Sequence, residues 1–264
     1  MVDYTEGSGK QYHTSVSPED IGKYIILPGD PGRVEKIASY FEDSRFVASN
    51  REYTTYTGRI NNVKVSAVST GIGGPSAAIA LEELVKCGAH TFIRIGTCGG
   101  MQDNVMGGDV IIASGAVRME GTSREYAPIE YPAVADYEVV QALGEKASEM
   151  KLSWHVGVVQ SKDSFFGQHE PDIMPVSYEL KDKWEAYIRM GCLASEMETA
   201  ALLTVGQFRK VRVGACYLCL ANQERAKKGL DNPVVHDIDP AIRLAVNALS
   251  ALIEKDRVKG EKAD

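Results

Sequence analysis

Four stretches set polar or charged side chains where apolar runs give way to loops, and their residue types describe a ligand. In FIRIGTCGG (92–100), Arg94 lies inside an apolar strand, where a charge is costly unless it is paired or binds an anion. Gly96 and Thr97 follow it with a close backbone approach and a hydroxyl. In LPGDPGRVEKI (27–37), Gly29 and Gly32 let the chain turn and present N–H groups, and Arg33 stands at a helix start. That is either an anion cradle or an ordinary Pro-Gly turn. SEMETAALLTV (195–205) puts Glu196 and Glu198 at the mouth of a hydrophobic helix. One reading makes Ser195 the N-cap and the acids a dipole complement; the other makes a carboxylate the partner of a ligand's hydroxyls. In SKDSFFGQHEPD (161–172), Phe165 and Phe166 precede Gln168 and His169. A ring that stacks beside an amide with one donor and one acceptor suits a planar heterocycle, although a packed aromatic pair reads the same way. Together the four ask for an anion held by arginines, a hydroxyl-rich group held by carboxylate, and a flat base: a nucleoside with phosphate.

Other motifs carry less. STGIGGPSAA (69–78) starts like a dinucleotide fingerprint but offers Ser76 where a third glycine belongs, and its next acids, Glu82 and Glu83, lie on the following helix. GSGKQ (7–11) lacks the first glycine and the hydroxyl residue of a phosphate-binding loop. Cys216 and Cys219 have redox spacing but sit in VRVGACYLCLA, which reads as a buried strand. The five cysteines are odd in number and irregularly placed, which favours reduced thiols, and the five histidines supply no zinc-ligand spacing.

These loops need a scaffold, and the pattern supplies one. Short apolar strands alternate with helical periodicity over most of the chain: strands at 24–29, 91–96, 108–117, 153–163 and 211–221, and helices at 33–41, 75–88, 137–151, 197–208 and about 240–255. The stretch 53–70 reads as two strands turning at Asn61-Asn62. Alternation of this kind implies an α/β fold with a mostly parallel or mixed sheet covered by helices on both faces, and ligands in such sheets bind beyond the carboxyl ends of strands. With no linker or repeat, one domain over 1–264 is expected, with 1–12 as a flexible arm, 256–264 as a polar tail, and mobile stretches at 167–183 and 222–233. A hydrophobic content of 44% provides ample core, while a net charge of −7 argues against nucleic-acid or acidic-membrane partners. The polar N-terminus and the lack of long apolar runs predict a cytoplasmic protein.

LPGDPGRVEKI, STGIGGPS, FIRIGTCGG, YPAVADYE and SEMETAALL, in that order and in combination, closely resemble the nucleoside phosphorylase family of hexameric bacterial type, on the side of its uridine-cleaving branch. The resemblance runs from about His13 to the last helix. It implies a distorted central sheet in a single domain, a trimer of dimers, and reversible phosphorolysis of a nucleoside to free base and ribose 1-phosphate. Inorganic phosphate would be the co-substrate, with no organic cofactor. By position it implies phosphate binding by Gly29, Arg33, Arg94 and Thr97, with Arg51 reaching in from a neighbouring subunit. It implies ribose binding by Met197 and Glu198, with the neighbour's His13 at the 5′-hydroxyl, and base binding by Phe165 and Gln168. Arg94 and Glu198 then become the catalytic pair, with Glu196 partly structural. Glu52, Ile72 and Ser76 match positions that hold potassium at a dimer interface.

The chain departs from the family around the base. Glu170 and Gln223 stand where arginines are expected, and Ser195 where an aromatic is expected. His169 is then a candidate second donor to the base. Uridine is the expected substrate. The alternatives are a purine nucleoside phosphorylase and a non-catalytic nucleoside-binding protein. Purine enzymes of this family use an aspartic acid at the end of the GACYLCLA strand to protonate the base, and this chain has Asn222, which cannot act as an acid.

Overall fold

Four parallel strands lie side by side at the centre of the molecule in the order β4-β1-β5-β10, and their carboxyl ends open onto one face of the fold. The computed structural model describes residue 5 and residues 7–260. Its strands are β1 (Tyr24–Pro28), β2 (Glu42–Asn50), β3 (Tyr53–Ile60), β4 (Val63–Val68), β5 (Thr91–Gly100), β6 (Val110–Arg118), β7 (Ala133–Val134), β8 (Trp154–Ser161), β9 (Ala194–Glu196) and β10 (Arg212–Asn222). Its helices are α1 (Val34–Ala38), α2 (Gly74–Lys86), α3 (Thr122–Tyr126), α4 (Tyr137–Glu149), α5 (Phe165–His169), α6 (Ser177–Arg189), α7 (Thr199–Arg209), α8 (Gln223–Lys227) and α9 (Asp239–Lys259).

All strands belong to one sheet, and the sheet is strongly distorted. β10 pairs with both β5 and β6, β8 joins β6 to β9, and β9 returns to β5, so five strands close on themselves. From this closed part the strands β1, β4, β3 and β2 extend as an open wing. The expected mixed sheet, with helices on both faces, is therefore present.

Period-two burial explains the layering. In β1, Tyr24 and Ile26 join the core shared with α1, α4 and α9, whereas Ile25 and Leu27 join the core shared with α2 and α7. A third cluster fills the closed part with Cys98, Ile111, Ala113, Val159, Tyr217 and Cys219. The β3–β4 turn falls at Asn61-Asn62, with φ of 52° and 63°, the left-handed pair that a two-residue hairpin demands. Pro75 opens α2 and Gly88 follows it with φ 94°.

Several boundaries differ from expectation. Helix α9 runs past Lys255 to Lys259, so the polar tail does not start at 256. Asp256 is buried and accepts from Tyr24 Oη at 2.7 Å and Arg212 Nη1 at 2.9 Å, which anchors that last turn. Part of the expected arm, residues 1–4 and 6, and the last residues 261–264 lie outside the described residues. Within the arm, Gln11 N–H donates to Val16 O at 2.8 Å and closes a turn. The stretch expected to be mobile at 167–183 carries most of α5 and the start of α6, and 222–233 carries α8.

Candidate active site

The strand-exit loops converge as the α/β rule requires. A cavity of about 820 Å³ is lined by Gly29, Arg33, Arg94, Thr97, Met197, Glu198, Phe165, Gln168 and His169, all drawn from the residues singled out by sequence, and also by Glu52 and Ile72.

Two guanidinium groups define its cationic end. Arg94 projects from β5, donating through Nη1 to Thr70 Oγ1 and through Nη2 to Glu198 Oε2, each at 2.7 Å. The pair is buried. A side chain at Gly29 would meet Arg94 Nη2 at 3.0 Å and Gly71 O at 3.3 Å, so glycine lets the backbone approach the guanidinium. Arg33 is half-buried with Asp30 at 3.7 Å. Burial lowers its pKa, Asp30 offsets part of that, and the charge of Arg94 lowers it further. Two guanidinium groups facing one space, each with a carboxylate beside it and with N–H donors to spare, suit a multiply charged oxyanion.

The two glutamates divide the roles that sequence left open. Ser195 is not the N-cap: it lies in β9, paired to Gly99 of β5. Glu196 does the capping, since its Oε2 accepts from the N–H groups of Glu198 (2.8 Å) and Thr199 (2.9 Å) at the start of α7. Ser161 Oγ donates to its other oxygen. Burial, followed by the negative charge of Glu198, raises the pKa of Glu196, and the hydrogen bonds from Ser161 and the backbone counter this. Glu198 makes no capping bond; it turns instead to the cavity, bonded to Arg94 and to Gly73 N–H at 2.7 Å. The incomplete G-x-G stretch thus serves Glu198: Gly71 and Gly73 take φ of 67° and 93° in the turn that presents this N–H.

At the other end, Ser164 caps α5 by accepting from Gly167 N–H at 2.9 Å, which sets Phe165 and Gln168 on the cavity wall. Phe165 is 51% exposed and its ring lies 4.3 Å from that of His169, so it is no core residue; Phe166 is exposed and off the cavity. Gln168 donates to Gln223 Oε1 at 3.1 Å and lies 2.8 Å from Ser195 Oγ, which can donate to it or to Gln160. Of the departing positions, Gln223 and Ser195 line the cavity and Glu170 does not. Asn222 is fully buried and fully used: its amide donates to Gln102 O and Val105 O, and its Oδ1 accepts from Glu224 and Arg225 N–H at the start of α8.

His13 and Arg51 are not brought to this cavity. His13 Nδ1 is 2.7 Å from Glu83 Oε1, and the Arg51 guanidinium lies 5.6 Å from the Tyr12 ring centre. They neighbour each other, because Asn50 Nδ2 donates to His13 O at 2.9 Å. Glu52 and Ser76 do meet, Ser76 Oγ donating to Glu52 Oε1 at 2.6 Å, and this bond leads the causes that lower the Glu52 pKa. Lys162 was missed. It lines the cavity from the residue after β8, and the available cue was a basic residue at the carboxyl end of a strand, where ligands bind in such sheets.

Residues 23–255 match the sequence profile of the Phosphorylase superfamily. The chain is 54% identical over 246 residues to uridine phosphorylase of Treponema pallidum (strain Nichols), covering 93% of this chain and 95% of that protein. It is 44% identical to uridine phosphorylase of Thermococcus kodakarensis, covering 81% of this chain and 78% of the relative. It is 38% identical to guanosine phosphorylase of Halorubrum lacusprofundi, covering 92% and 98%.

Proposed function

The chain belongs to the phosphorylase superfamily, and from that premise we propose that it is a pentosyltransferase catalysing reversible phosphorolysis of uridine to uracil and α-D-ribose 1-phosphate. The observation that carries this reading is the contact between Arg94 and Glu198 beside Gly29 and Arg33, a phosphate-type site fused to a hydroxyl-binding carboxylate. Inorganic phosphate is the second substrate, held by Gly29, Arg33, Arg94 and Thr97. Glu198 and the backbone of Met197 hold the ribose. As a phosphate oxygen bonds to C1′ and the glycosidic electrons leave with the base, the sugar takes on oxocarbenium character. The Glu198 carboxylate and the phosphate stabilise that charge electrostatically. Phe165 stacks near the base, and Gln168 and His169 offer it polar atoms.

His13 of the partner subunit and Arg51 of the partner subunit complete the site, in a hexamer built as a trimer of dimers. This accounts for their place together on the surface, away from their own chain's cavity. Glu52, Ile72 and Ser76 suit a potassium ion at that dimer interface; Glu52 and Ser76 are already in contact and Ile72 is exposed. No helix of the described residues is long and apolar enough to cross a membrane, and we place the enzyme in the cytoplasm.

Guanosine phosphorylase among the relatives makes purine cleavage the rival activity. Asn222 speaks against it, because its amide is spent on the backbone and delivers no proton to a purine. Base release from uridine, thymidine, inosine and guanosine, each with and without phosphate, tests the assignment. Strict phosphate dependence with uridine preferred is expected. Release without phosphate rejects phosphorolysis, inosine or guanosine preference rejects uridine, and binding without release leaves a nucleoside-binding protein.

A further inference from the structure

Among the described residues, Lys162 is a buried cation without a counter-ion in contact. It is 5% exposed, and its ammonium makes one hydrogen bond among the described residues, to Ser195 Oγ at 2.8 Å. An ammonium carries three N–H donors, and buried lysines are rare unless they are paired or used. Lys162 lies on the cavity wall with Phe165, Gln168 and His169.

The neighbouring polar groups are largely committed. Gln168 donates to Gln223, and Asn222 is consumed by the backbone. Lys162 is thus the charged donor with hydrogens to spare at this end. Its field reaches the base-facing groups: the pKa of His169 is lowered first by burial and then by the charge of Lys162. Facing Lys162 are the carboxylates of Glu196 and Glu198 and the Cys98 thiol, which favour its charged form, and burial, which opposes it more strongly and lowers its pKa to about 8.

We propose that Lys162 is the residue that serves the departing base, donating from its ammonium to a carbonyl oxygen of the pyrimidine-2,4-dione. The inference rests on the phosphorolysis reading and names its leaving-group partner. As the C1′–N1 bond breaks, its electron pair moves to N1 and spreads onto O2 and O4, while a phosphate oxygen bonds to C1′. A fixed positive charge at one of those oxygens lowers the energy of that separation more than a neutral amide does. The ammonium keeps its own proton. The base anion is protonated at N1, through water, by the proton that monohydrogen phosphate gives up. Ser195 Oγ accepts from the ammonium and holds it in place.

The test compares uridine with 5-fluorouridine, whose electron-poor base leaves more easily, in wild type, K162M and K162R. Wild type is assayed first with and without phosphate; a failure there rejects the phosphorolysis reading and says nothing of Lys162. For K162M, kcat/KM on uridine is expected to fall by about thirtyfold or more, as loss of a charge-assisted bond implies. The fall should lie chiefly in kcat and be several-fold smaller for 5-fluorouridine, with K162R partly restored. Equal losses on both nucleosides, a loss confined to KM, or near-wild-type turnover of uridine would overturn the proposal. Circular dichroism checks folding, and if K162M is misfolded the same comparison is made with K162Q.

Discussion

Arg94 Nη2 donates to Glu198 Oε2 at 2.7 Å in a buried ion pair, so the two residues assigned to phosphate and to ribose are bonded to each other. The pair has a physical purpose. A lone guanidinium on a central strand would be too costly, and a lone carboxylate beside it equally so. Held together they keep the cavity charged, and each retains capacity for a ligand: a carboxylate has four lone-pair sites, and Arg94 Nε has no partner among the described residues.

Arg94→Ala is therefore expected to harm stability as well as activity. Removing one partner leaves Glu198 buried beside an empty volume, a loss of about 3–5 kcal/mol of folding stability. The double variant Arg94→Ala/Glu198→Ala should regain much of that stability yet remain inactive. Urea unfolding of the three proteins checks this, and a fully stable Arg94→Ala would mean that the pair carries no folding energy.

Glu198→Gln should lower kcat far more than it weakens nucleoside binding. The amide still bonds to ribose, but it no longer opposes positive charge at the sugar, so the deficit belongs to the transition state. Steady-state kinetics with saturating phosphate separate the two. A change in KM alone would make Glu198 a plain binding residue.

How far the sequence could be read depended on how anomalous a residue was in its own surroundings. Arg94 inside IRI and the Pro-Gly turn before Arg33 stand out locally, and both proved to line the cavity. The division between Glu196 and Glu198 was hidden, because it depends on β9, a three-residue strand that exists only through pairing with β5 and β8. Strand β2 is polar and mostly exposed at the sheet edge, so no apolar alternation marks it. Helix α6 buries no residue fully, yet Leu180, Trp184, Tyr187 and Ile188 fall at i, i+4, i+7 and i+8, a stripe that could have been found. His13 and Arg51 do not line their own chain's cavity, and the role proposed for them through a second chain is one that local pattern cannot show.

Lys162 should make stability depend on alkaline pH. Its folded pKa of about 8 lies below the 10.5 of a freely solvated lysine. Between those values the unfolded chain binds more protons than the folded one, so stability rises with pH across the window. Lys162→Met should be more stable than wild type at pH 7 by about 3 kcal/mol, and the gap should close towards pH 10.5. Denaturant midpoints from pH 7 to 10.5 measure it; a gap independent of pH would show that Lys162 is not desolvated.

Gln168→Leu should erase most of the preference for uridine. The change takes the amide from the cavity wall and leaves Gln223 Oε1 without its donor. An unpaired polar group on either side costs about 1–3 kcal/mol, tenfold or more in kcat/KM. His169→Ala should weaken uridine cleavage with less effect on analogues lacking O4. Ratios of kcat/KM for uridine and inosine decide it, and an unchanged ratio in Gln168→Leu would remove that residue from base selection.

His13 is bonded to Glu83 and Arg51 faces Tyr12, and neither lines its own chain's cavity. If Arg51 of the partner subunit completes each site, Arg51→Ala spoils the neighbour's site and Arg94→Ala spoils its own. In a mixed dimer, one of the two sites then carries both defects and the other carries neither. Arg51→Ala and Arg94→Ala proteins, each inactive alone, should recover phosphorolysis after subunit exchange, towards half the wild-type activity per mixed dimer. Exchange is followed independently with differently tagged chains. No recovery, with exchange demonstrated and the Arg94→Ala chain folded, would mean that each chain builds its site alone.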